Sequence, residues 1–207
     1  MADAIVARSP EPALLDQRVH LTGVTWDDYE RLLAVRGDDP GVRFTYLEGQ
    51  LEIMTPSTYH ESLKKRLARL VEAWSEEFGI DLKGAGSWTF RNRDTERGLE
   101  TDECYFVGRT GEDDDAPDLA IEVVWTSGGL DKLTVYAGLG VREVWFWRDG
   151  RLTFHALRAG RYESIARSAL LPALDPAFVE RLMTARTSQA QAIRDLRAAL
   201  REGRAPR

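Results

Sequence analysis

Glu122 is the residue of this 207-residue chain whose position most needs a chemical reason. It lies in the apolar stretch DLAIEVVW (118–125), between Ile121 and Val123. Burying an unpaired carboxylate costs several kcal/mol, so the residue requires a partner. Three environments would satisfy it: an edge position where the carboxylate reaches water, a salt bridge to a buried arginine, or a divalent cation shared with a second carboxylate.

Asp102 is the best candidate for that second carboxylate. It lies near the start of TDECYFV (101–107), which has the composition of a strand. If this strand neighbours 118–125, about 4.8 Å away, then Asp102 and Glu122 can bind one ion. Asp118 shares the strand face of Glu122 but lies about 13 Å away along an extended strand, which is too far for one ion to bridge. Asp102 is therefore preferred.

Lys132 completes a set of residues that could hydrolyse a phosphodiester. It follows Glu122 by ten residues, in the first turns of a predicted helix. A helix that packs back on the sheet could direct the ammonium at the two acids. In metal-assisted hydrolysis the cation lowers the pKa of a bound water and polarises the phosphoryl oxygen. The lysine would orient the nucleophile or stabilise the negative charge that develops.

The elements that must position these residues follow from periodicity and turn signals. Helices are predicted at 26–35 with Thr25 as cap, within 56–79 with a Thr58–Glu61 capping box and Gly79 as the end, at 130–140, and from 175 onward. The stretch RFTYLEGQLEIM (43–54) is typical of a β-hairpin that turns at Glu48. Further strands are predicted at 80–84, 87–91, 101–107, 118–125, 142–147, 152–157 and 162–166, with 92–100 as a polar connection.

The order of these elements predicts the fold class. Strand 118–125, helix 130–139 and strand 142–147 form a βαβ unit. An α/β (α+β) fold is therefore expected, with a mixed central β-sheet flanked by helices.

Composition limits the class of protein. The chain is 43% hydrophobic and 30% charged, as expected for one globular domain. The sequence contains no apolar run of the roughly 18 residues that a membrane span needs, and its first residues lack the pattern of a secretory signal. We therefore expect a cytoplasmic protein with no membrane partner. The single cysteine, Cys104, excludes an internal disulfide framework and a thiolate zinc site.

Charge distribution leaves a nucleic-acid partner open. The net charge of −6 argues against one. However, residues 151–207 carry 11 basic and 5 acidic side chains, whereas residues 1–150 carry 17 and 29. A solvated basic helix is the preferred explanation of the basic C-terminal third, ahead of a surface that binds nucleic acid.

Several motifs, in order along the chain, resemble the Uma-two family, a bacterial group of restriction-endonuclease-like proteins in the PD-(D/E)XK nuclease superfamily. The resemblance spans about residues 24–182. Its most specific parts are PDLAIEVV and DKLTVYAGLGVREVWFW, the latter being similar to the family's K-x-x-x-Y-x-x-x-G-V-x-E-Y-W pattern. The supporting parts are TWDDYERL, RFTYLEGQLEIM, PSTYHESLKKRL and TDECYFV.

The resemblance implies a restriction-endonuclease-like fold with an N-terminal helix and hairpin and a C-terminal helix. It also implies an endonuclease that hydrolyses DNA with Mg²⁺ (or Mn²⁺). Asp102 and Glu122 match the family's acidic metal ligands. Val124 stands where the superfamily's usual lysine would be, and the lysine of the following helix matches Lys132.

Two further residues match positions to which the resemblance gives at most an auxiliary role. Glu48 matches the acid of the hairpin, and His60 matches the histidine at the start of the long helix. From the residues alone, a satisfied, half-buried structural histidine is preferred to a catalytic one at position 60.

Predicted domain boundaries follow the same motifs. We expect a flexible N-terminal arm (1–20), a restriction-endonuclease-like domain (21–183) and a C-terminal helical extension (184–207). Many nucleases of this fold pair two sites, so a homodimer is also expected, with contacts from the apolar hairpin strands and the C-terminal helix.

Three residues near the predicted site depart from the family pattern. Thr101 stands where proline is usual, and Trp125 and Thr126 stand where serine and proline are frequent. These departures favour an alternative, a catalytically inactive binding or regulatory module with the nuclease fold. A metal-dependent hydrolase of small phosphoesters is a third interpretation.

Overall fold

Two β-sheets and five helices make up the part of the chain that the computed structural model describes, namely residues 15–37, 39, 41–108, 116–124 and 129–203. The helices are α1 (Trp26–Arg36), α2 (Thr58–Phe78), α3 (Lys132–Leu139), α4 (Pro176–Thr184) and α5 (Gln189–Arg201). The strands are β1 (Gln17–Thr22), β2 (Arg43–Leu47), β3 (Gln50–Thr55), β4 (Leu82–Gly84), β5 (Thr89–Asn92), β6 (Arg97–Glu100), β7 (Glu103–Val107), β8 (Leu119–Val124), β9 (Glu143–Arg148), β10 (Arg151–Arg158) and β11 (Arg161–Ile165).

The larger sheet is mixed, as the sequence predicted. Its six strands lie in the order β11-β10-β9-β8-β7-β4. Strands β8 and β9 are parallel and α3 connects them, which confirms the βαβ unit. The other neighbouring strands are antiparallel. The predicted fold class, with helices flanking a mixed sheet, is therefore confirmed.

The smaller sheet contains a strand that the sequence did not predict. Its order is β1-β3-β2-β6-β5, and the predicted hairpin forms β2 and β3. Strand β6 lies in the stretch that was predicted to be a polar connection. Its one large apolar residue, Leu99, is fully buried, and the strand pairs with both β2 and β5. Tertiary pairing therefore determines this strand, since its own pattern does not.

Strand β8 is buried on both faces. On one face Ile121 and Val123 belong to the same core cluster as Leu67 and Trp74 of α2. On the other face Ala120 packs in a cluster with residues of α3. A carboxylate in this strand is therefore removed from water, and the edge position considered for Glu122 does not apply.

The caps of α2 differ slightly from the prediction. Ser57 is the N-cap, and its hydroxyl accepts a hydrogen bond from the His60 amide at 3.2 Å. The predicted capping box assigned this role to Thr58, which is already the first residue of the helix. Gly79 ends the helix in the left-handed conformation, at φ 65°, as expected for a C-terminal glycine.

Both ends of the described chain are packed against the fold. Residues 17–20 of the predicted arm belong to β1, which pairs with β3. At the other end, α5 lies against α2 and buries Ala192 and Leu196 in the core. The division into three predicted segments, 1–20, 21–183 and 184–207, stays a prediction. None of the described helices has the length and apolar character needed to cross a membrane.

Candidate active site

Asp102 and Glu122 face each other across two neighbouring strands. Glu103 of β7 pairs with Ile121 of β8, and the next step of this antiparallel register places Asp102 opposite Glu122. Partners in an antiparallel pair point to the same face of the sheet. Both side chains are buried, with residue exposures of 0% and 1%. The predicted neighbour relation between the two strands is therefore confirmed.

Two residues of α3 bind Glu122. Lys132 Nζ lies 2.5 Å from Glu122 Oε2, and the Tyr136 hydroxyl donates a hydrogen bond to Glu122 Oε1. The two residues are four positions apart, so they lie on one face of the helix. Burial raises the pKa of the Tyr136 hydroxyl well above its usual value, and the charge of Glu122 raises it further. The phenol therefore stays neutral and acts as a donor.

The start of α3 fixes the position of Lys132. Asp131 is the N-cap, and its carboxylate accepts hydrogen bonds from the Leu133 amide at 3.1 Å and from the Thr134 hydroxyl at 2.7 Å. Lys132 is thus the first helical residue. Its side chain is 15% exposed and lines a cleft that opens to solvent, so the ion pair with Glu122 lies at the edge of that cleft.

Asp102 is held by three groups from different elements. Its Oδ2 atom accepts a hydrogen bond from the Val123 amide at 2.7 Å. Its Oδ1 atom is in contact with the Arg43 guanidinium and lies 3.1 Å from His60 Nε2. Neither contact at Oδ1 has the directional geometry of a hydrogen bond. Arg43 is the first residue of β2 and is buried, so its positive charge offsets that of the aspartate.

His60 bridges two buried aspartates. Its Nδ1 atom lies 3.1 Å from Asp16 Oδ2, while Nε2 faces Asp102. Asp16 also accepts a hydrogen bond from the Ser57 amide at 2.9 Å. Burial opposes the charge of Asp16, but the hydrogen bonds from His60 and Ser57 outweigh burial and lower its pKa to about 2. His60 is thus fully buried, with Nδ1 hydrogen-bonded to Asp16 and Nε2 in contact with Asp102 without hydrogen-bond geometry, and an auxiliary role stays a prediction.

Glu48 is not brought to this site. It occupies the β2–β3 turn with φ 46°, its side chain is 59% exposed, and it binds Arg97 at 2.8 Å. Arg43, which contacts Asp102, lies at the other end of β2, about 17 Å along the strand. The match of Glu48 to the hairpin acid therefore gives it no contact with the other predicted residues.

Asp118 has a structural role. Its carboxylate accepts a hydrogen bond from the Val107 amide at 3.0 Å and binds Arg142 at 3.1 Å. This agrees with the preference for Asp102 over Asp118 as the partner of Glu122.

Sequence reasoning missed three residues of this network and one buried acid close to it. Arg43, Asp16 and Tyr136 contact the predicted residues, but no role was assigned to them. Only Tyr136 could have been found from the sequence, since its i+4 spacing from Lys132 places both on one helix face.

Glu52 of β3 is 2% exposed and accepts a hydrogen bond from the Leu130 amide at 3.2 Å, which ties the loop before α3 to the smaller sheet.

Thr101 explains one departure from the family pattern. Its backbone amide donates a hydrogen bond to the Trp88 carbonyl at 3.1 Å, and its hydroxyl donates to the Gly86 carbonyl at 3.2 Å. Proline has no amide hydrogen and could make neither bond. Trp125 and Thr126, the other departures, lie outside the described residues.

The two carboxylates suit a hard divalent cation. Mg²⁺ prefers oxygen ligands and is usually held by one or two carboxylates, with water and substrate phosphates filling the other positions. The buried Asp102 Oδ1 atom receives no directed hydrogen bond, but Arg43 and His60 contact it, so an ion at this oxygen would have to share it with these two groups. Over the described ranges, no group of three or more His, Cys, Asp or Glu side chains is arranged to hold an ion.

Comparison with known families identifies the family of the chain. The family model of Uma2, described as "Putative restriction endonuclease", matches residues 26–184. The chain belongs to the Uma2 family. The match covers more than half of the chain and includes Asp102, Glu122 and Lys132, and it confirms the resemblance seen in the sequence. No curated protein matches the chain.

The Uma2 match covers most, but not all, of the residues in this network. Arg43, His60 and Tyr136 lie inside the matched range, whereas Asp16 precedes it. The family description points to the nuclease class.

Proposed function

We propose that the protein is a divalent-metal-dependent endonuclease that hydrolyses DNA phosphodiester bonds. The observation that supports this most is the placement of Lys132 Nζ 2.5 Å from Glu122, on the strand beside Asp102. Membership in the Uma2 family supports the nuclease class.

In this proposal Asp102 and Glu122 would hold Mg²⁺ (or Mn²⁺). Such an ion, when bound, supplies Lewis-acid activation of the phosphoryl group and lowers the pKa of a bound water. The strand backbone fixes both acids, since the Val123 amide binds Asp102 and β8 itself carries Glu122. Arg43 and His60 keep the Asp102 carboxylate in place from the opposite side.

Lys132 would act on the substrate directly. Its ammonium pairs with Glu122 at the edge of the cleft, so a phosphodiester that approaches Glu122 from the cleft meets the same ammonium. There the lysine would stabilise the negative charge that grows on the phosphoryl oxygens. Tyr136 would keep the second oxygen of Glu122 oriented by donating its hydroxyl proton to a hydrogen bond.

Cleavage of supercoiled plasmid DNA in the presence of Mg²⁺ or Mn²⁺ tests the proposal. We expect the wild-type protein to nick or linearise the DNA, and we expect Glu122→Gln to remain folded and inactive. The matched control is Glu48→Gln, which changes an exposed glutamate of the hairpin turn and should retain activity. Cleavage by Glu122→Gln at the wild-type rate would reject the assignment.

One observation favours a second candidate, a non-catalytic binding or regulatory module. The four carboxylate oxygens of Asp102 and Glu122 all contact protein groups: Arg43 and His60, the Val123 amide, Tyr136 and Lys132. Such a network neutralises both buried acids without a cation. In this case the protein would bind neither Mg²⁺ nor Mn²⁺ at millimolar concentration, with or without DNA.

A homodimer and a cytoplasmic location also stay proposals. The apolar face of α5, which was expected to contribute to a dimer, buries Ala192 and Leu196 within the chain. Edge strand β1 instead exposes Val19 and Leu21, at 55% and 39%. Sedimentation that shows only the 23.4 kDa chain at micromolar concentration would exclude the dimer.

A further inference from the structure

A cleft of about 700 Å³ opens beside Lys132, on the face of the larger sheet that carries Glu122. Its floor is formed by side chains of β9 and β10, among them Phe146, Thr153 and His155. Glu122 pairs with Phe146, and Phe146 pairs with Thr153, so these residues form a row across three strands on one face. The floor of the cleft is therefore continuous with the candidate active site.

Arg148 stands at the next position of the same face. It pairs with Val124 of β8 and lines the cleft. Its backbone is one strand across the sheet and two residues along the strand from Glu122, a distance of about 8 Å. Nucleotides in a stacked strand advance by about 3.4 Å each along the helix axis, and consecutive phosphates lie farther apart because their path winds around that axis. Arg148 is thus one or two nucleotides away from a phosphate held at Glu122.

The other cations of the cleft are already engaged. Lys132 binds Glu122, Arg151 binds Glu180 at 3.0 Å, and Arg18 lies 3.8 Å from Glu52. By contrast, Arg148 is exposed, and its side chain forms no hydrogen bond or ion pair with any residue that the structure describes. A guanidinium that is free, exposed and directed to a cleft is suited to bind a phosphate in bidentate fashion.

We propose that Arg148 binds a backbone phosphate of the DNA strand, one or two nucleotides from the phosphodiester at Glu122, and that the cleft is the path of this strand. The inference rests on the proposed function, because it takes DNA as the substrate. Contacts to phosphates fix the register of a protein on the strand without reading the sequence. Arg148 is thus a positioning residue, which sets where along the strand the scissile bond lies.

Binding without cleavage tests this inference. Fluorescence anisotropy of a labelled duplex is measured in EDTA, over a series of salt concentrations. Arg148→Gln should weaken binding about tenfold at low salt, as expected for the loss of one charge-assisted hydrogen bond. It should also reduce the slope of log K against log salt by about 0.9, the value for one phosphate contact. Arg148→Lys should restore most of that slope.

Arg194→Gln is the matched control. Arg194 lies on α5, which packs with α2 on the opposite face of the sheet, and its guanidinium binds Gln191 of the same helix. This variant should bind DNA as the wild type does. As a second probe, Thr153→Glu places a negative charge on the floor of the cleft at an exposed position, and it should also weaken binding.

The outcomes separate the inference from the proposed function. If the wild type binds DNA and Arg148→Gln binds with the same affinity and salt slope, the inference is wrong and the proposed function is untouched. An equal loss in Arg194→Gln also overturns the inference, since binding then reflects general surface charge. If the wild type does not bind DNA even at low salt, both the DNA substrate and the inference are rejected.

Discussion

The ion pair between Lys132 and Glu122 predicts how substitutions at these two positions change the free energy of unfolding, whether or not the protein is catalytically active. Lys132→Met keeps the length and apolar character of the side chain but removes the ammonium that lies 2.5 Å from a carboxylate of 1% exposure. Removing one partner of a fully buried ion pair costs about 3–5 kcal/mol, since the other charge is left uncompensated. Because Lys132 is 15% exposed and Tyr136 still donates to Glu122, we expect about 2–3 kcal/mol.

A second substitution tests the cause of that loss. Glu122→Gln removes the uncompensated charge, so the double variant Lys132→Met/Glu122→Gln should recover to within about 1 kcal/mol of the wild type. Urea unfolding in EDTA, followed by far-ultraviolet circular dichroism, measures the free energy of unfolding of each variant. If Lys132→Met is as stable as the wild type, or if Glu122→Gln brings no recovery, the buried pair does not have the energetics that its geometry implies.

Three further predictions concern other parts of the network and the core. Cys104 is fully buried and burial raises the pKa of its thiol to about 12, so a thiol reagent at neutral pH should modify it only after denaturation. Rapid labelling of Cys104 in the native protein would contradict this prediction. Leu196→Ala should destabilise the protein by about 2–5 kcal/mol in thermal or urea unfolding, because Leu196 packs α5 into the core. Arg194→Ala, which changes an exposed residue of the same helix, is the control, and equal stability of the two variants would contradict the packing of α5. The pKa of Asp16, lowered to about 2, predicts that this carboxylate contributes about 2 kcal/mol to the free energy of unfolding above pH 4, and that the contribution is lost as the pH falls from about 4 to about 2. The stability of Asp16→Asn should lack this pH dependence in acid unfolding, and an acid profile like that of the wild type would refute the assignment.

The part of the site that lies within one stretch of chain was predictable from the sequence. Glu122 and Lys132 are ten residues apart, in a strand and the helix that crosses over to its parallel neighbour. The handedness and short connections of such a unit leave few ways to place the helix, so the lysine could be expected near the acid. Asp102 followed from the expectation that consecutive strands are neighbours.

The remaining contacts depend on chain segments that are distant in sequence. Arg43 reaches Asp102 from the smaller sheet, and Asp16 reaches His60 from the segment that precedes the family match. No periodicity or spacing relates these residues, because their meeting depends on how the two sheets and α2 pack. The same reason explains β6, whose pairing with β2 and β5 overrides its weak strand pattern.

Titration with a divalent cation tests the central claim most directly. Calorimetric titration of Mn²⁺ into the wild-type protein and into Glu122→Gln, each with and without DNA, measures whether the two carboxylates bind an ion. The account predicts binding by the wild type at up to millimolar Mn²⁺ and its loss in Glu122→Gln. Absence of binding by the wild type under both conditions, or undiminished binding by Glu122→Gln, would contradict the metal-dependent nuclease.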